Sequence, residues 1–258
     1  MDDFEIIEIK KLVDNLLDNS EDIIHKHYRN LDKIHVKPDE SPVTVADHEI
    51  ELMMRKLINE EYPEHGIVGE EFGNENEDSR YKWIIDPIDG TLSFMVGRPI
   101  FGTLIALLED DVPILSVINQ PITQERWLGI KNNGCTLNGK KIQVRNCKNL
   151  SEAIMATTGP NYFKEKGLQK FNRLTECVKH TIYGGDCYIF ALVASGYLDL
   201  AIDSCLKPHD FMPLIPIIKE AGGIITDWKG KELNERSNGN IVVAGSSLVH
   251  TQAINILG

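Results

Sequence analysis

Apolar residues recur at helical spacing in two stretches near the start of the chain, at residues 4–29 and 45–62. In the first stretch, positions such as Ile9 and Val13 lie four residues apart, which places them on one face of an α-helix. The polar, proline-containing segment 37–42 lies between the two stretches and predicts a loop. The chain is therefore predicted to begin with two amphipathic helices joined by a loop.

Short apolar runs bounded by turn residues follow, and they predict strands rather than helices. The run 66–69 predicts a strand that ends at Glu70 and Glu71, and the run 81–85 predicts a strand that ends at an aspartate. The acidic, asparagine-rich segment 73–80 between them predicts a surface loop. Three more runs predict consecutive strands of a sheet, at 101–109, 112–119 and 125–131.

The second half of the chain alternates between predicted strands and predicted helices. Strands are expected at 154–158, 198–202, 224–226 and 241–244. Helices are expected at 161–178, at 188–196 and after Pro208, where Gly222 and Gly223 end the helix because glycine tolerates the left-handed conformation. The pattern predicts two α/β halves, 1–145 and 146–258, in one compact unit.

Composition and charge narrow the class of protein. A chain of 258 residues with 42% hydrophobic residues can bury a substantial core. The net charge of −12 argues against a general nucleic-acid binder, which would carry basic residues to replace the counterions of the phosphates. An acidic protein can still bind a small phosphate if metal ions supply the positive charge.

The amino terminus, the apolar runs and the cysteines indicate where in the cell the protein is located. No basic segment leads into an apolar stretch at the amino terminus, and no apolar run reaches the roughly 20 residues of a membrane span. The five cysteines are far apart and form no C-x-x-C pair. We therefore expect a cytoplasmic protein with reduced thiols, no zinc site and no membrane partner.

Carboxylates stand at the ends of the predicted strands, and Asp86-Pro87-Ile88-Asp89-Gly90-Thr91 carries two of them in one turn. Hard divalent cations such as Mg²⁺ prefer several oxygen ligands. The Ile88 carbonyl offers a third oxygen, and the backbone after Gly90 can approach an anion closely. Taken alone, such a D-P-x-D-G segment is more often only a turn.

Four other segments accompany this turn, and together they favour a metal site over a plain turn. The chain resembles the inositol monophosphatase superfamily of Mg²⁺-dependent, lithium-sensitive phosphatases, and the match runs in order along nearly the whole chain. It rests on Ser41-Pro42-Val43-Thr44-Val45-Ala46-Asp47, Gly69-Glu70-Glu71, Trp83-Ile84-Ile85-Asp86-Pro87-Ile88-Asp89-Gly90-Thr91, Pro208-His209-Asp210 and Glu220-Ala221-Gly222-Gly223. The resemblance implies an α+β fold, a layered αβαβα sandwich of the inositol-monophosphatase or sugar-phosphatase type, with mixed sheets in its two halves.

The resemblance also implies which residues bind two to three Mg²⁺ ions. Glu70, Asp86 and the Ile88 carbonyl correspond to the ligands of one ion, and Asp86, Asp89 and Asp210 to those of a second. A third, weaker ion corresponds to a position near Glu70. Residues 1–145 would then carry most metal ligands, while 146–258 would carry Asp210 and the residues that select the substrate.

Catalytic roles follow from the same resemblance. Thr91 would orient the attacking water, with Glu70 and Asp47 as its partners. Two of the residues have simpler interpretations, since Asp210 could only cap a helix and Asp47 could only complement a helix dipole. Glu71 is expected to be a bystander or a supporting residue, and His209 a packing group or a supporting residue close to the site.

The segments that distinguish branches of the superfamily resemble the histidinol-phosphatase branch. They are Gly97-Arg98-Pro99, 101–107, Gln120-Pro121, Glu125-Arg126-Trp127, 183–188 and Leu206-Lys207-Pro208. The residues implied to bind substrate are Ile88, Asp89, Gly90, Thr91, Gly185, Asp186, Asp203 and Asp210.

Asp186 suits a substrate with an ammonium group, such as histidinol phosphate, but it could equally be a turn residue that caps the next helix. Two departures bear on the substrate. Asp203 stands where many relatives carry glutamate, and Leu92 stands where histidinol-phosphatase-like chains often carry a basic residue.

Several functions remain open at this point. Histidinol phosphate is the first candidate substrate, inositol 1-phosphate the second, and a 3′-phosphoadenosine 5′-phosphate-type nucleotide the third. A non-catalytic, dimeric metal-binding regulator is the alternative from another class. The partners expected are a small phosphorylated metabolite and a second copy of the chain in a homodimer, with no nucleic acid.

Overall fold

A computed structural model describes residues 3–30, 34–36 and 42–258. Apart from Pro42, the predicted loop 37–42 lies outside the described residues, as does Ser41 of the amino-terminal motif. The helices are α1 (Asp3–His27), α2 (Val45–Glu61), α3 (Thr91–Met95), α4 (Glu165–Thr175), α5 (Asp186–Ala194), α6 (Pro208–Phe211), α7 (Leu214–Glu220) and α8 (Ser247–Leu257). None of these helices has the length and apolar content needed to span a bilayer.

The strands form two large sheets and one short ribbon. In chain order they are β1 (Ile34–Val36), β2 (Pro42–Thr44), β3 (Gly66–Gly69), β4 (Asn74–Glu75), β5 (Tyr81–Asp89), β6 (Gly102–Glu109), β7 (Val112–Gln120), β8 (Glu125–Ile130), β9 (Gly134–Leu137), β10 (Lys140–Lys141), β11 (Ile154–Thr157), β12 (His180–Tyr183), β13 (Leu200–Asp203), β14 (Ile224–Asp227) and β15 (Ile241–Ala244). The antiparallel ribbon consists of β1 and β2.

The first sheet has eight strands in the order β10-β9-β8-β7-β6-β5-β3-β4. Its neighbours are antiparallel except for β3 and β5, which run parallel. Alternate residues of β5 enter different cores, since Trp83 and Ile85 join one apolar cluster and Ile84 joins another. Because both faces of this sheet are covered, its central strands are apolar on both sides rather than alternating with polar residues.

The second sheet has five strands in the order β12-β11-β13-β15-β14. Strand β11 runs parallel to β12 and β13, while β15 pairs antiparallel with β13 and β14. Both sheets are therefore mixed. This arrangement brings the end of β13 and the start of α6 toward the first sheet, where α6 contacts β5.

The elements stack in five layers. Helices α1 and α2 pack on one face of the eight-stranded sheet, α5 and α7 lie between the two sheets, and α4 and α8 cover the outer face of the second sheet. Gly129 of β8 lets α7 approach closely, because a Cβ there would lie 2.7 Å from the backbone nitrogen of Ile217. The layered αβαβα fold expected from the resemblance is confirmed.

Several element predictions were wrong in detail. The helix expected over 161–178 is shorter, because a 3-10 turn at Pro160–Tyr162 precedes α4, and strand β12, which was not predicted, follows it. The helix expected after Pro208 breaks into α6 and α7, since Pro213 has no N–H to continue the first helix. The expected loop 73–80 contains the short strand β4, and α8 was not predicted.

Candidate active site

The central turn of the site is an irregularity in the pairing of β5 with β6. Pairing is regular as far as Asp86 opposite Leu104, and it resumes with Asp89 opposite Gly102. Three steps along β5 therefore match two steps along β6. In a regular strand, residues three apart point to opposite faces, whereas here oxygens of Asp86 and Asp89 approach within 4.8 Å of each other.

A change of backbone direction follows at Gly90, which has φ 86° and precedes α3. A side chain would be excluded there, because a Cβ would lie 2.6 Å from Oδ2 of Asp186. The Thr91 hydroxyl donates to the Ile88 carbonyl at 3.3 Å. The turn thus brings the Thr91 hydroxyl into contact with the Ile88 carbonyl, directly beside Asp89.

Asp210 reaches the same place from the second half of the chain. It lies in α6, and its Oδ2 accepts the backbone N–H of Lys207 at 2.6 Å. Asp86, Asp89 and Asp210 each offer a carboxylate oxygen within 4.8 Å of the others. The helix-capping interpretation of Asp210 and its place in the acidic cluster are therefore compatible in one side chain.

A second group at the site combines Glu70, Asp86 and His209, which also offer one ligand atom each within 4.8 Å of one another. Glu70 directly follows β3, as expected. His209 Nε2 lies 3.5 Å from Asp210 Oδ1, and burial lowers the pKa of this histidine. The His209 ring therefore lies beside the acidic cluster.

The electrostatics of the cluster favour a bound cation. Burial, and then the charges of Glu70, Asp89 and Asp210, raise the pKa of Asp86 well above its ordinary value. Burial raises the pKa of Asp210 to about 6. Asp86 Oδ1 is buried and accepts no hydrogen bond from the described residues. Several convergent carboxylate oxygens fit the preference of Mg²⁺ for hard oxygen ligands.

Asp47 lies at the start of α2 and forms a capping box with Thr44. Asp47 Oδ2 accepts from the Thr44 backbone N–H at 2.8 Å, and the Thr44 hydroxyl accepts from the Asp47 backbone N–H at 3.2 Å. The charge of Asp47 also contributes to the raised pKa of Asp86. The structure thus places Asp47 in its capping role and close enough to the cluster to act on it electrostatically.

A cavity of about 250 Å³ adjoins the cluster, and Asp186 lies in its wall. Asp186 is the first residue of α5, has φ 45° and accepts a 2.6 Å hydrogen bond from the Ser93 hydroxyl at Oδ2. Gly185 precedes it, and a Cβ at Gly185 would collide with Ile189. The backbone N–H of Cys187 donates to Asp89 at 2.6 Å, so the start of α5 touches the turn directly.

Asp203 lies at the end of β13 and also lines the cavity. Its Oδ1 accepts from the Thr157 hydroxyl and the Thr158 N–H, and its Oδ2 accepts from the Thr158 hydroxyl, all within 3.0 Å. Burial raises its pKa to about 7. Asp203 therefore holds the turn after β11, and its predicted contact with substrate stays a prediction.

Ser93 and Tyr162 at the cavity were not singled out from the sequence. Ser93 orients Asp186, which lies in the cavity wall, and Tyr162 lines the cavity and is 37% exposed. Ser93 stands only two positions after Thr91, so its nearness to the motif was the one available signal. Tyr162 carries no local signal, because its position depends on how the second half packs against the first.

A sequence profile described as the inositol monophosphatase family matches residues 8–257. The chain belongs to this family. The bifunctional phosphatase IMPL2 of Arabidopsis thaliana, a chloroplastic protein, is 45% identical over all of this chain and 77% of its own length. A histidinol-phosphatase of Mycobacterium tuberculosis is 32% identical over 94% of this chain and 95% of its own length.

Solved structures agree with the family assignment. An inositol monophosphatase from Zymomonas mobilis superimposes with a TM-score of 0.90 at 41% identity, over all of this chain and 99% of that one. Members of the family are metal-dependent phosphatases that generally use Mg²⁺. The protein is accordingly a metal-dependent phosphatase, a phosphoric monoester hydrolase that acts on small phosphorylated substrates.

Proposed function

We propose that this phosphatase hydrolyses histidinol phosphate to histidinol and phosphate. The observation that carries the proposal is the carboxylate of Asp186, which the Ser93 hydroxyl holds in the wall of the cavity beside Asp89. A fixed carboxylate at that place suits the ammonium group of histidinol, because a charge-assisted hydrogen bond is stronger than a neutral one. The ring of Tyr162 adds an apolar surface for an imidazole.

The charge of the cavity also bears on the alternatives. The described residues that line it include Asp186, Asp203 and Glu70, but no lysine or arginine. A substrate with a second phosphate, such as a 3′-phosphoadenosine 5′-phosphate-type nucleotide, would need basic side chains there. Relatives named histidinol-phosphatase, among them one from Chlorobaculum parvum at 36% identity over 76% of this chain, support the cationic substrate.

For catalysis we propose that Glu70, Asp86 and the Ile88 carbonyl hold one Mg²⁺, and that Asp86, Asp89 and Asp210 hold a second. A third, weaker ion would lie near Glu70. The bound ions supply Lewis-acid chemistry for attack of water on phosphorus and for departure of the alcohol.

The remaining roles belong to side chains around these ligands. The Thr91 hydroxyl, which donates to the Ile88 carbonyl within the turn, orients the attacking water, with Glu70 and Asp47 as its partners. Gly90 and the backbone beside it lie against the phosphate. Gly185 and Asp186 contact the rest of the substrate, together with Asp203, whose Oδ2 accepts one hydrogen bond from Thr158 and has a second lone pair.

The test is phosphate release from a panel of substrates under saturating Mg²⁺. We expect histidinol phosphate to have a higher kcat/KM than inositol 1-phosphate, a nucleotide bisphosphate and an aryl phosphate. If no member of the panel exceeds the aryl phosphate clearly, the substrate proposal is wrong. An Asp89→Asn variant with wild-type activity would instead contradict the metal assignment.

Inositol 1-phosphate is the second candidate, because the similar Zymomonas mobilis structure is an inositol monophosphatase at 41% identity. Asp186 can accept hydrogen bonds from hydroxyl groups as well as from ammonium groups. The same panel decides between the two substrates, since a higher kcat/KM for inositol 1-phosphate would replace the first proposal.

Three further properties are proposed on the resemblance to the family. Lithium should inhibit the enzyme, and the chain should form a homodimer. Residues 1–145 should act as the half that carries most metal ligands, with Asp210 supplied by residues 146–258. Inhibition by LiCl at fixed Mg²⁺ and the mass measured by light scattering test the first two.

A further inference from the structure

A buried carboxylate outside the metal cluster contacts the segment that carries Glu70. Glu51 of α2 is fully buried, and its Oε2 accepts the backbone N–H of Glu71 at 2.8 Å. Its Oε1 accepts the backbone N–H of Phe72 at 3.1 Å. One side chain of α2 therefore binds two consecutive N–H groups directly after Glu70.

Arg55, one helical turn further along α2, completes the arrangement. Its guanidinium donates to Glu51 Oε1 from Nε at 2.9 Å and from Nη2 at 2.7 Å. The same guanidinium donates to the Gly73 carbonyl and, at 2.7 Å, to Glu75 Oε1. Glu51 and Arg55 together thus fasten both sides of the turn that joins β3 to β4.

Gly69 shows how closely α2 approaches this turn. A Cβ at Gly69 would lie 2.1 Å from Glu51 Oε1 and 2.5 Å from Nη2 of Arg55. No larger residue fits there unless the buried pair moves. Glu70 therefore lies between Gly69 and Glu71. Only glycine at position 69 leaves room for the Glu51–Arg55 pair, and the backbone N–H of Glu71 donates to Glu51.

A contribution to stability alone explains this pair poorly. The cost of removing two charges from water offsets most of their attraction, and apolar residues of similar volume in their place often stabilise a protein equally well. An apolar residue at position 51, however, would leave the N–H groups of Glu71 and Phe72 without their acceptor. We propose that Glu51 is a positioning residue that sets the direction of the Glu70 side chain for Mg²⁺ binding. This inference rests on the proposed role of Glu70 as a metal ligand.

The experiment compares Glu51→Gln with a matched control, Asp199→Asn. Asp199 is also a buried carboxylate that accepts a backbone N–H, from Ile154 at 2.7 Å, and pairs with Arg145, but it lies outside the site. Mg²⁺ affinity is measured by titration calorimetry, and the melting temperature without Mg²⁺ is measured in parallel. We expect both variants to melt at a lower temperature.

Only Glu51→Gln should bind Mg²⁺ more weakly, by about tenfold, which corresponds to about 1.4 kcal/mol. Its activity should return largely at saturating Mg²⁺, since the ligands themselves are intact. Mg²⁺ binding equal to that of wild type would overturn the proposal and leave Glu51 as a structural ion pair. If Glu51→Gln does not fold, Gly69→Ala displaces the same carboxylate without a change of charge and decides by the same measurement.

Glu70→Gln separates this inference from the proposal beneath it. If Glu70→Gln binds Mg²⁺ like wild type, the ligand assignment of Glu70 is wrong, and the positioning role is wrong with it. If Glu70→Gln binds weakly while Glu51→Gln binds normally, only the positioning role is wrong. Weak binding by both, with normal binding by Asp199→Asn, supports the two proposals together.

Discussion

Two groups of aspartates lie in or beside one cavity, and they are held in different ways. Asp86, Asp89 and Asp210 crowd together, and backbone N–H groups donate to Asp89 and Asp210. Asp186 and Asp203 lie farther along the wall and receive hydrogen bonds mainly from serine and threonine hydroxyls. The first group faces mutual repulsion, whereas the second has polar side chains fitted to it.

The difference separates the reaction from the choice of substrate. Backbone donors do not depend on which side chains surround them, so the start of α5 and the residue before α6 hold Asp89 and Asp210 through their backbone. Hydroxyl donors can be changed one residue at a time without disturbing that backbone. Substitutions should therefore divide into those that stop all hydrolysis and those that change which phosphate monoester is used.

The largest effect is expected from Asp86→Asn in the crowded group. We expect kcat to fall by about a thousandfold for every substrate, because metal ions supply several kcal/mol of stabilisation in such reactions. Without Mg²⁺ the variant should melt at a higher temperature than wild type, because burial and then the neighbouring carboxylates disfavour the negative charge that this substitution removes. Steady-state kinetics and thermal melts in a chelator measure both effects. Activity within tenfold of wild type would remove the contrast between the groups.

The next effect is expected from Asp186→Asn in the wall. The value of kcat/KM for histidinol phosphate should fall by about 10- to 100-fold, as a lost hydrogen bond to a charged group is worth about 1.5–3 kcal/mol. The value for inositol 1-phosphate should change little, which makes the neutral substrate an internal control. An equal fall for both substrates would place Asp186 with the crowded group instead.

Stability without Mg²⁺ should depend on pH through Asp203. Burial raises its pKa in the folded state from 3.8 to about 7, so folding favours the protonated carboxyl. This contribution is complete below about pH 4 and is lost as the pH rises through about 7. The melting temperature of wild type should therefore fall relative to that of Asp203→Asn between about pH 5 and 8. A constant difference across that range would contradict the shift.

The smallest effect is expected from Ser93→Ala, which removes the hydroxyl that holds Asp186. One hydrogen bond is worth about 1 kcal/mol, so KM for histidinol phosphate should rise by about fivefold with kcat nearly unchanged. Initial rates across a range of substrate concentrations measure the two constants separately. A fall in kcat with constant KM would show that Ser93 acts on the reaction and not on the choice of substrate.

The resemblance to the family predicted the fold class, and the sequence itself indicated the turn, because Asp86, Asp89 and Thr91 lie within six consecutive residues. Asp210 was reached only through the resemblance, since it is more than a hundred residues away. Contacts such as Ser93 to Asp186 join elements of different halves, and no local pattern contains them. Glu51 escaped notice for a similar reason, since in a helix it reads as one more charged residue.

The elements that were predicted wrongly share a physical cause as well. Strand β12 has three exposed residues among its four, so its sequence lacks the apolar alternation of a buried strand. The helix expected after Pro208 is interrupted near Pro213. A proline is tolerated in the first turn of a helix but not in its interior, so its effect depends on where the helix begins. The pattern of apolar residues along the chain located the central strands of the sheets well and the edge strands poorly.

The extra residue of β5 between Asp86 and Asp89 has a consequence for how such a protein can change by descent. A single codon lost there would leave two steps on β5 opposite two on β6, and the ladder would run without interruption. The product would be a more regular sheet in which the two aspartates share one face about 7 Å apart along the strand, without the turn that presents the Ile88 carbonyl beside them. The irregularity in the sheet therefore serves the site, and a perfectly paired ladder would not provide it.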